Sequence, residues 1–543
     1  MNSPLQQSVW AAGASEAPAP TTIGDALLAA ARRWPDSPAL IEARDPSGPS
    51  DARQWSYSEL ADDATLVAQA LLSHFSPGDR VAVWATNRPE WILLQLGAAM
   101  AGIVLVTVNP AYKDTELAYV LQHSRAHGIF VEPLVRSRDL LSIAHSVSAD
   151  LPTLHTVISL GDWATFLEAA PSGPAELPVV DPREPAQIQY TSGTTGFPKG
   201  ALLSHDGLVL NGRVYAETIG ANSEDIWVNP MPLFHTAGCG LVTLGALQTG
   251  GCHVLPSGFD ADLMLDLFEQ HRGTVMLSVP TMLIRMLEAQ AERPRDVSSW
   301  RLTTLGGAPV PTELVRRAER ELDVAVGIGF GQTESSPYIT HTLPDDRHPD
   351  WFETVGRPLP GVDVKIVNPS TGEATPIGIP GEICTRGRCV MIEYFDDPAA
   401  TASAIDSDEW LHTGDVGWMD SSGYLRVSGR IKDLIIRGGE NIYPREVEDV
   451  LYRNQAVAHV AVVGLPDAHW GEIVAAFVQP RDGQHVDIAE LEALCRAELA
   501  SYKVPRVWQV VEQFPQTASG KIQKFVLREN YVAAHPTGNE NSK

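Results

Sequence analysis

Apolar and polar positions follow two textures along the chain. In the first, short β-branched runs alternate with longer apolar stretches at helical spacing. Residues 81–84 are an apolar run entered through Pro77-Gly78-Asp79, and residues 91–100 have the apolar density of a helix, followed by Ala101-Gly102. Residues 103–108 are β-branched and stop at Asn109-Pro110, residues 115–121 read as a helix, and residues 128–131 as another strand. Strand, helix and strand at this spacing predict parallel α/β layers. The order returns at residues 254–255, 263–268 and 274–277. No short repeat is present, which excludes a solenoid.

From about Gly356 the texture becomes short segments separated by turns. Residues 362–367, the turn Asn368-Pro-Ser-Thr-Gly372 and residues 381–384 predict a small β-barrel-like subdomain. Beyond Arg430 the pattern is compact α+β. Tyr443-Pro444 opens a helix with Val447, Val450 and Leu451 on one face and Glu446 and Glu448 near its positive end. Residues 457–463 and 473–478 predict strands, and residues 487–499 an amphipathic helix. The expected organisation is a disordered leader (1–20), a large α/β/α-layered N-terminal domain (21–430) and a small mobile α+β C-terminal domain (431–543). A boundary at residues 429–433 separates the two domains, and a disordered tail runs from Ala533.

Composition narrows the partners. The 543 residues carry 40 Lys+Arg against 67 Asp+Glu, a formal net charge of −27, which argues against nucleic acid as main partner. With 44% apolar and 20% charged residues, disordered, collagen-like and coiled-coil classes are excluded. Five cysteines without CxxC spacing suggest neither a disulfide framework nor a zinc site and fit a reducing cytoplasm, with most of them acting as buried small hydrophobes. Residues 1–20 lack a basic n-region and an apolar core, so they do not read as a signal peptide, and no run of about 18 apolar residues marks a membrane span.

The sharpest chemical signal is Tyr190-Thr-Ser-Gly-Thr-Thr-Gly-Phe-Pro-Lys-Gly200. Hydroxyls and bare backbone N–H groups suit phosphate oxygens, and Lys199 adds a cation. The spacing is not that of a Walker A loop, because Lys199 lies between Pro198 and Gly200. An ordinary Gly/Ser-rich turn is the competing explanation for any such run taken alone.

This string resembles the phosphate loop of the adenylate-forming superfamily, which includes acyl-CoA synthetases, carrier-protein adenylation domains and luciferases. Further segments match in the same order: Pro232-Leu-Phe-His-Thr-Ala-Gly238, Leu305-Gly-Gly-Ala-Pro309, Gly329-Phe-Gly-Gln-Thr-Glu334 and Trp410-Leu-His-Thr-Gly-Asp415. Ser428-Gly-Arg-Ile-Lys-Asp433, Arg437-Gly-Gly-Glu-Asn-Ile-Tyr-Pro444 and Thr517-Ala-Ser-Gly-Lys-Ile-Gln-Lys524 complete the set. The resemblance spans residues 22–531, and its wording is most similar to medium- and long-chain fatty-acyl-CoA ligases.

The resemblance implies ATP and Mg²⁺ as cofactors and CoA as co-substrate. Converting a carboxylate to an acyl-adenylate needs positioning and charge neutralisation on phosphates, and no protein nucleophile. Lys521 is the implied catalytic lysine, on the α-phosphate; only eight lysines occur, and Lys199, Lys432 and Lys521 all fall inside the matching segments. Thr191, Ser192, Gly193, Thr194, Thr195, Gly196 and Lys199 are implied around the phosphates. Gly307, Ala308, Pro309 and Phe330 are implied at the adenine, where Gly306 also keeps the backbone bare. Gly331 and Gln332 would line the nucleotide site, and Thr333 would bond the adenylate phosphate, as the resemblance implies. Glu334, with Thr191, is the implied Mg²⁺ contact, against the alternative of a helix-capping glutamate. Asp415 and Arg430 would hold the ribose hydroxyls, Lys432 would be the hinge, and Gly438, Gly439 and Glu440 would border the thiol tunnel. A tight turn between strands would need the same two glycines. His235 would wall the acyl pocket and gate the CoA arm, and Gly238 and Gly240 would leave room for an acyl chain.

Two positions depart from the family's pattern. Arg388 stands where an aromatic is common, and Glu393 where glycine usually precedes Tyr394; a positive φ there would strain Glu393. No large insertion precedes Arg430, a feature that would point to ligases stopping at acyl-AMP. The leading reading is an ATP- and Mg²⁺-dependent acid–thiol ligase acting on a medium- or long-chain fatty acid. Its rivals are an aryl or cinnamate-type acid-CoA ligase, an adenylating enzyme with a carrier-protein or amine acceptor, and a silent nucleotide-binding scaffold. A homodimer stays open, with no feature in its favour.

Overall fold

The computed structural model describes residues 4–13, 18–43, 52–173, 176–191, 198–343, 346, 350–467, 469–481, 483–515 and 522–535. The chain divides into two compact units. One comprises residues 10–364 and 385–411, the other residues 1–9, 365–384 and 412–543.

The larger unit is built on two mixed sheets. The seven-stranded sheet runs in the order Glu393–Tyr394, Lys199–Ser204, Pro185–Thr191, Val104–Val108, Arg80–Trp84, Gly128–Val131, Thr156–Ser159. Its strands from Pro185–Thr191 onward are parallel, and Lys199–Ser204 and Glu393–Tyr394 add an antiparallel edge. The nine-stranded sheet has a parallel centre formed by Ala325–Gly331, Leu302–Leu305, Val275–Ser278, Ile226–Val228, Cys252–Pro256 and Pro38–Ala43. The predicted strands and helices of this region all form. Parallel strands covered on both faces read as unbroken apolar runs, which is why residues 81–84 and 103–108 were legible. The helix Pro89–Met100 is buried at every position, as expected of a helix apolar on all sides and packed between layers.

In the smaller unit, the strand-and-turn region contributes to a five-stranded sheet. Its order is Val9–Trp10, Asp363–Val367, Gly381–Arg386, Leu411–Met419, Leu425–Arg430. The end strands of this sheet do not pair with each other among the described residues. The expectation of a wholly disordered leader is corrected. Part of the leader is ordered: Ser8 N–H donates to Thr375 O at 3.0 Å, and Ile366 N–H to Ser8 O at 2.9 Å. Those backbone bonds satisfy an edge that would otherwise be unpaired. The C-terminal segment folds as the antiparallel strands Ile435–Arg437, Glu440–Ile442, Val457–Asp467 and Gly471–Pro480, joined by Val507–Val510. Helices Pro444–Leu451, Ile488–Glu498 and Lys524–Ala534 accompany them, the last running two residues into the expected tail. Residues 536–543 lie outside the described set. No helix among the described residues is long and apolar enough to cross a membrane. All five cysteines are buried, and none is in a disulfide.

Candidate active site

The described ends of the phosphate-loop segment lie on two antiparallel strands, Pro185–Thr191 and Lys199–Ser204. Thr191 ends one strand and Lys199 begins the next, paired in register, with the Thr191 hydroxyl donating to Lys199 O at 3.4 Å. A loop leading into a strand is topologically unlike a Walker A loop, which leads into a helix. Ser192, Gly193, Thr194, Thr195 and Gly196 lie outside the described residues.

Glu334 sits in the short 3₁₀ turn Thr333–Ser335 and is buried. The Tyr394 hydroxyl donates to Glu334 Oε1 at 2.6 Å. The Lys199 ammonium lies 4.8 Å from the centre of the same tyrosine ring, a cation–π contact. A cation, a phenol and a buried carboxylate thus come together from three chain segments. The helix-capping alternative for Glu334 is not what its side chain does. Tyr394 is the residue that sequence reasoning missed; it ends the segment 386–394, which drew notice only for its departures.

The other nucleotide candidates lie where α/β sheets usually bind ligands, at the carboxyl ends of adjacent parallel strands. Gly307, Ala308 and Pro309 follow the strand Leu302–Leu305, with Gly307 at φ +74°. Phe330 and Gly331 end the neighbouring strand and are half-buried, Gln332 N–H donates to Pro337 O at 3.0 Å, and Thr333 is buried. Gly306 serves the fold itself, since a Cβ there would meet the buried Tyr338 hydroxyl at 2.5 Å.

His235 is half-buried in the turn before the π-helix Ala237–Leu244, and its Nδ1 accepts from Ala237 N–H at 3.2 Å. The expectation that Gly238 leaves room for an acyl chain is corrected. A Cβ there would lie 2.3 Å from Pro232 O and 2.7 Å from Met231 O, so this glycine is required by close backbone approach. At Gly240 a Cβ would make ordinary contact with Leu208 at 3.7 Å.

The two departures from the expected pattern resolve locally. Glu393 lies in a strand, paired with Leu202, and is not among the residues at positive φ, so the expected strain is absent. Arg388 forms a bidentate ion pair with Asp206, both contacts 2.7 Å, and also donates to Pro18 O.

The smaller unit carries its own group of candidates. Asp415 and Arg430 are register partners on antiparallel strands, with Arg430 Nε 3.2 Å from Asp415 Oδ1. Lys432 is exposed within the 3₁₀ turn Ile431–Asp433. Gly438 and Gly439, at φ +60° and +89°, are the two-residue turn between Ile435–Arg437 and Glu440–Ile442. Positive φ at both central residues is what such a hairpin demands. Lys521 lies outside the described residues; the segment holding it is bracketed by Pro515 and Gln523, whose backbones bond at 2.8 Å.

The donors fit a hard dication. Glu334 offers one oxygen beyond the one that Tyr394 engages, and Thr191 a hydroxyl, in keeping with magnesium bound through one or two protein oxygens plus phosphates.

Layered mixed sheets with a hydroxyl-, lysine- and carboxylate-bearing cluster at their strand ends define an enzyme of the adenylate-forming class. The chain belongs to the AMP-binding enzyme family: that family model matches residues 27–395, and the AMP-binding enzyme C-terminal domain matches residues 446–521. A putative acyl-CoA synthetase, YngI of Bacillus subtilis (strain 168), is 38% identical over 540 residues, covering 94% of this chain and 97% of that protein. The mitochondrial medium-chain acyl-CoA ligase ACSF2 of Macaca fascicularis is 34% identical over 541 residues, 94% of this chain and 87% of its own. Among solved structures, ATP-bound MatB from Rhodopseudomonas palustris matches with TM-score 0.84 at 30% identity, over 94% of this chain and 99% of that one. The anthranilate CoA ligase AuaEII in complex with anthranoyl-AMP matches with TM-score 0.86 at 26% identity, over 95% and 99%.

Proposed function

We propose that this protein is an AMP-forming acyl-CoA synthetase that uses ATP and Mg²⁺ to join a medium- or long-chain fatty acid to CoA. The observation that carries the reading is the Lys199–Tyr394–Glu334 cluster at the start of the strand Lys199–Ser204, in a chain that shares its family's architecture over nearly its full length. The medium-chain assignment draws support from ACSF2, and an aromatic acid, as in AuaEII, is the second reading.

In the first step a carboxylate oxygen of the acid bonds to the α-phosphorus of ATP, and the bond to the β-phosphate oxygen breaks, releasing pyrophosphate. Lys199 and Lys521 neutralise phosphate charge, Thr191 and Thr333 donate hydroxyl hydrogens to it, and Glu334 would hold the metal. Magnesium, when bound, supplies further charge neutralisation on the phosphates. In the second step the CoA sulfur bonds to the acyl carbonyl carbon, AMP departs, and the thiol proton is released. Asp415 and Arg430 grip the ribose, and Phe330 stacks on the adenine. His235 walls the path of the acyl group, and Gly438, Gly439 and Glu440 border the thiol path. Residues 431–543 act as the mobile domain, turning at Lys432.

The test is incubation with ATP, Mg²⁺ and a panel of fatty and aryl acids, each with and without CoA, followed by mass spectrometry. Acyl-CoA from fatty acids supports the reading. Acyl-AMP and pyrophosphate with no CoA product would move the acceptor elsewhere, and no pyrophosphate from any acid would overturn it.

A further inference from the structure

We propose that Tyr394 is a positioning residue, whose hydroxyl fixes the Glu334 carboxylate in the orientation that receives the magnesium of Mg·ATP and whose ring holds Lys199 beside it. The inference rests on the reading of Glu334 as the metal-directed carboxylate.

Tyr394 is itself held tightly. Its backbone N–H donates to Thr401 Oγ1 at 3.0 Å, and it pairs with Ala201 on the strand that begins at Lys199. On its other side Met391 N–H donates to Glu334 O at 2.8 Å, so the segment carrying the tyrosine also anchors the backbone of the glutamate. The 2.6 Å bond from Tyr394 Oη then fixes the side chain of Glu334 through Oε1, so that Oε2 is the oxygen that would meet a cation. A tyrosine hydroxyl is protonated at neutral pH and so is available there as a donor. Without that donor, a buried carboxylate would have to hold its rotamer alone. The same ring carries the Lys199 ammonium at 4.8 Å. One side chain therefore sets the geometry of two groups expected around the phosphates.

Tyr394→Phe separates these roles, because it keeps the ring under Lys199 and deletes only the hydroxyl. The measurement is Mn²⁺ binding to the protein–ATP complex, read from the electron paramagnetic resonance signal of free Mn²⁺. The half-saturating Mg²⁺ concentration for pyrophosphate release is read in parallel. A hydrogen bond to a charged group sets the scale, so Tyr394→Phe should weaken Mn²⁺ binding by roughly 10- to 100-fold and raise the Mg²⁺ requirement in step, while the KM for the acid holds. Glu334→Gln is the companion variant. If Glu334→Gln weakens Mn²⁺ binding and Tyr394→Phe leaves it within about twofold of the unaltered protein, the positioning role is overturned and the Glu334 reading stands. If neither substitution changes Mn²⁺ binding, the Glu334 reading fails and takes the proposal with it.

Discussion

Asp415 and Arg430 face each other in register across two antiparallel strands, with the arginine Nε 3.2 Å from the carboxylate Oδ1. Asp415 is 7% exposed, and its backbone N–H donates to Thr413 Oγ1 at 3.0 Å. A carboxylate so fixed can accept two vicinal hydroxyl protons, which is the ribose-binding logic of acidic residues in other nucleotide folds. Asp415→Asn should therefore lower kcat/KM for ATP by roughly 10- to 100-fold, the scale of a hydrogen bond to a charged group. The penalty should be much smaller with 2′-deoxy-ATP, which already lacks one hydroxyl. The ratio of the two nucleotides measures this directly, and an unchanged ratio removes Asp415 from the ribose.

The two half-reactions should separate by mutation. Lys521→Ala should cripple pyrophosphate release yet spare thioester formation from supplied acyl-AMP. Gly439→Leu should do the reverse, because a branched side chain at φ +89° distorts the turn expected beside the thiol path. Rapid-quench assays of each half-reaction check both. Equal loss in the two assays for Lys521→Ala would contradict its role, and unchanged thioester formation in Gly439→Leu would clear that turn from the thiol path.

Much of this architecture was legible in the sequence, for identifiable reasons. Strands such as Arg80–Trp84 and Val104–Val108 announce themselves because both faces are buried, and the helix Pro444–Leu451 because Tyr443-Pro444 sets its start. The hairpin glycines 438 and 439 were visible because few other residues tolerate that turn. What escaped was tertiary. The Tyr394–Glu334 bond joins residues 60 apart in sequence, and no local pattern encodes it. The leader strand Val9–Trp10 is too short for periodicity to reveal, and its pairing depends on an edge more than 350 residues away. Gly238 was misread because an absent side chain looks the same whether it makes room for a ligand or for the backbone at Pro232.

Arg388, where the family commonly has an aromatic, should matter to stability through Asp206. The arginine is about one-third exposed, with a side-chain value of 35%, while the aspartate is at 7%. Removing the partner leaves a buried carboxylate whose other contact is Thr21 N–H at 3.4 Å. Arg388→Phe should cost about 3 kcal/mol in chemical denaturation, the low end for breaking a buried pair because Asp206 also sits in the first turn of the helix His205–Thr218. Arg388→Lys should fall between, since an ammonium cannot bond both carboxylate oxygens in parallel. A stability equal to the unaltered protein in Arg388→Phe would show the pair to be dispensable.

Acid stability should be governed first by buried histidines. Burial pushes His205, His253 and His341 each down to about 4 from an ordinary 6.5. Each is thus neutral in the folded chain and takes up its proton more readily when unfolded. The unfolded state then binds more protons as pH falls from 6.5, so stability present in full above 6.5 is lost progressively toward pH 4. Each shift corresponds to roughly 3 kcal/mol once complete. Carboxylates act in a lower window. Burial alone would raise Glu90, but hydrogen bonds from Arg53 and Arg88 outweigh it and bring its carboxyl down to about 2, so its contribution is lost only between about 4.5 and 2. The urea midpoint should accordingly be flat above pH 7 and decline between pH 6.5 and 4. His253→Leu should flatten part of that decline, since it removes one of the three buried rings that take up a proton on unfolding. A decline confined to pH below 4, or an unchanged slope in His253→Leu, would assign acid sensitivity to the carboxylates instead.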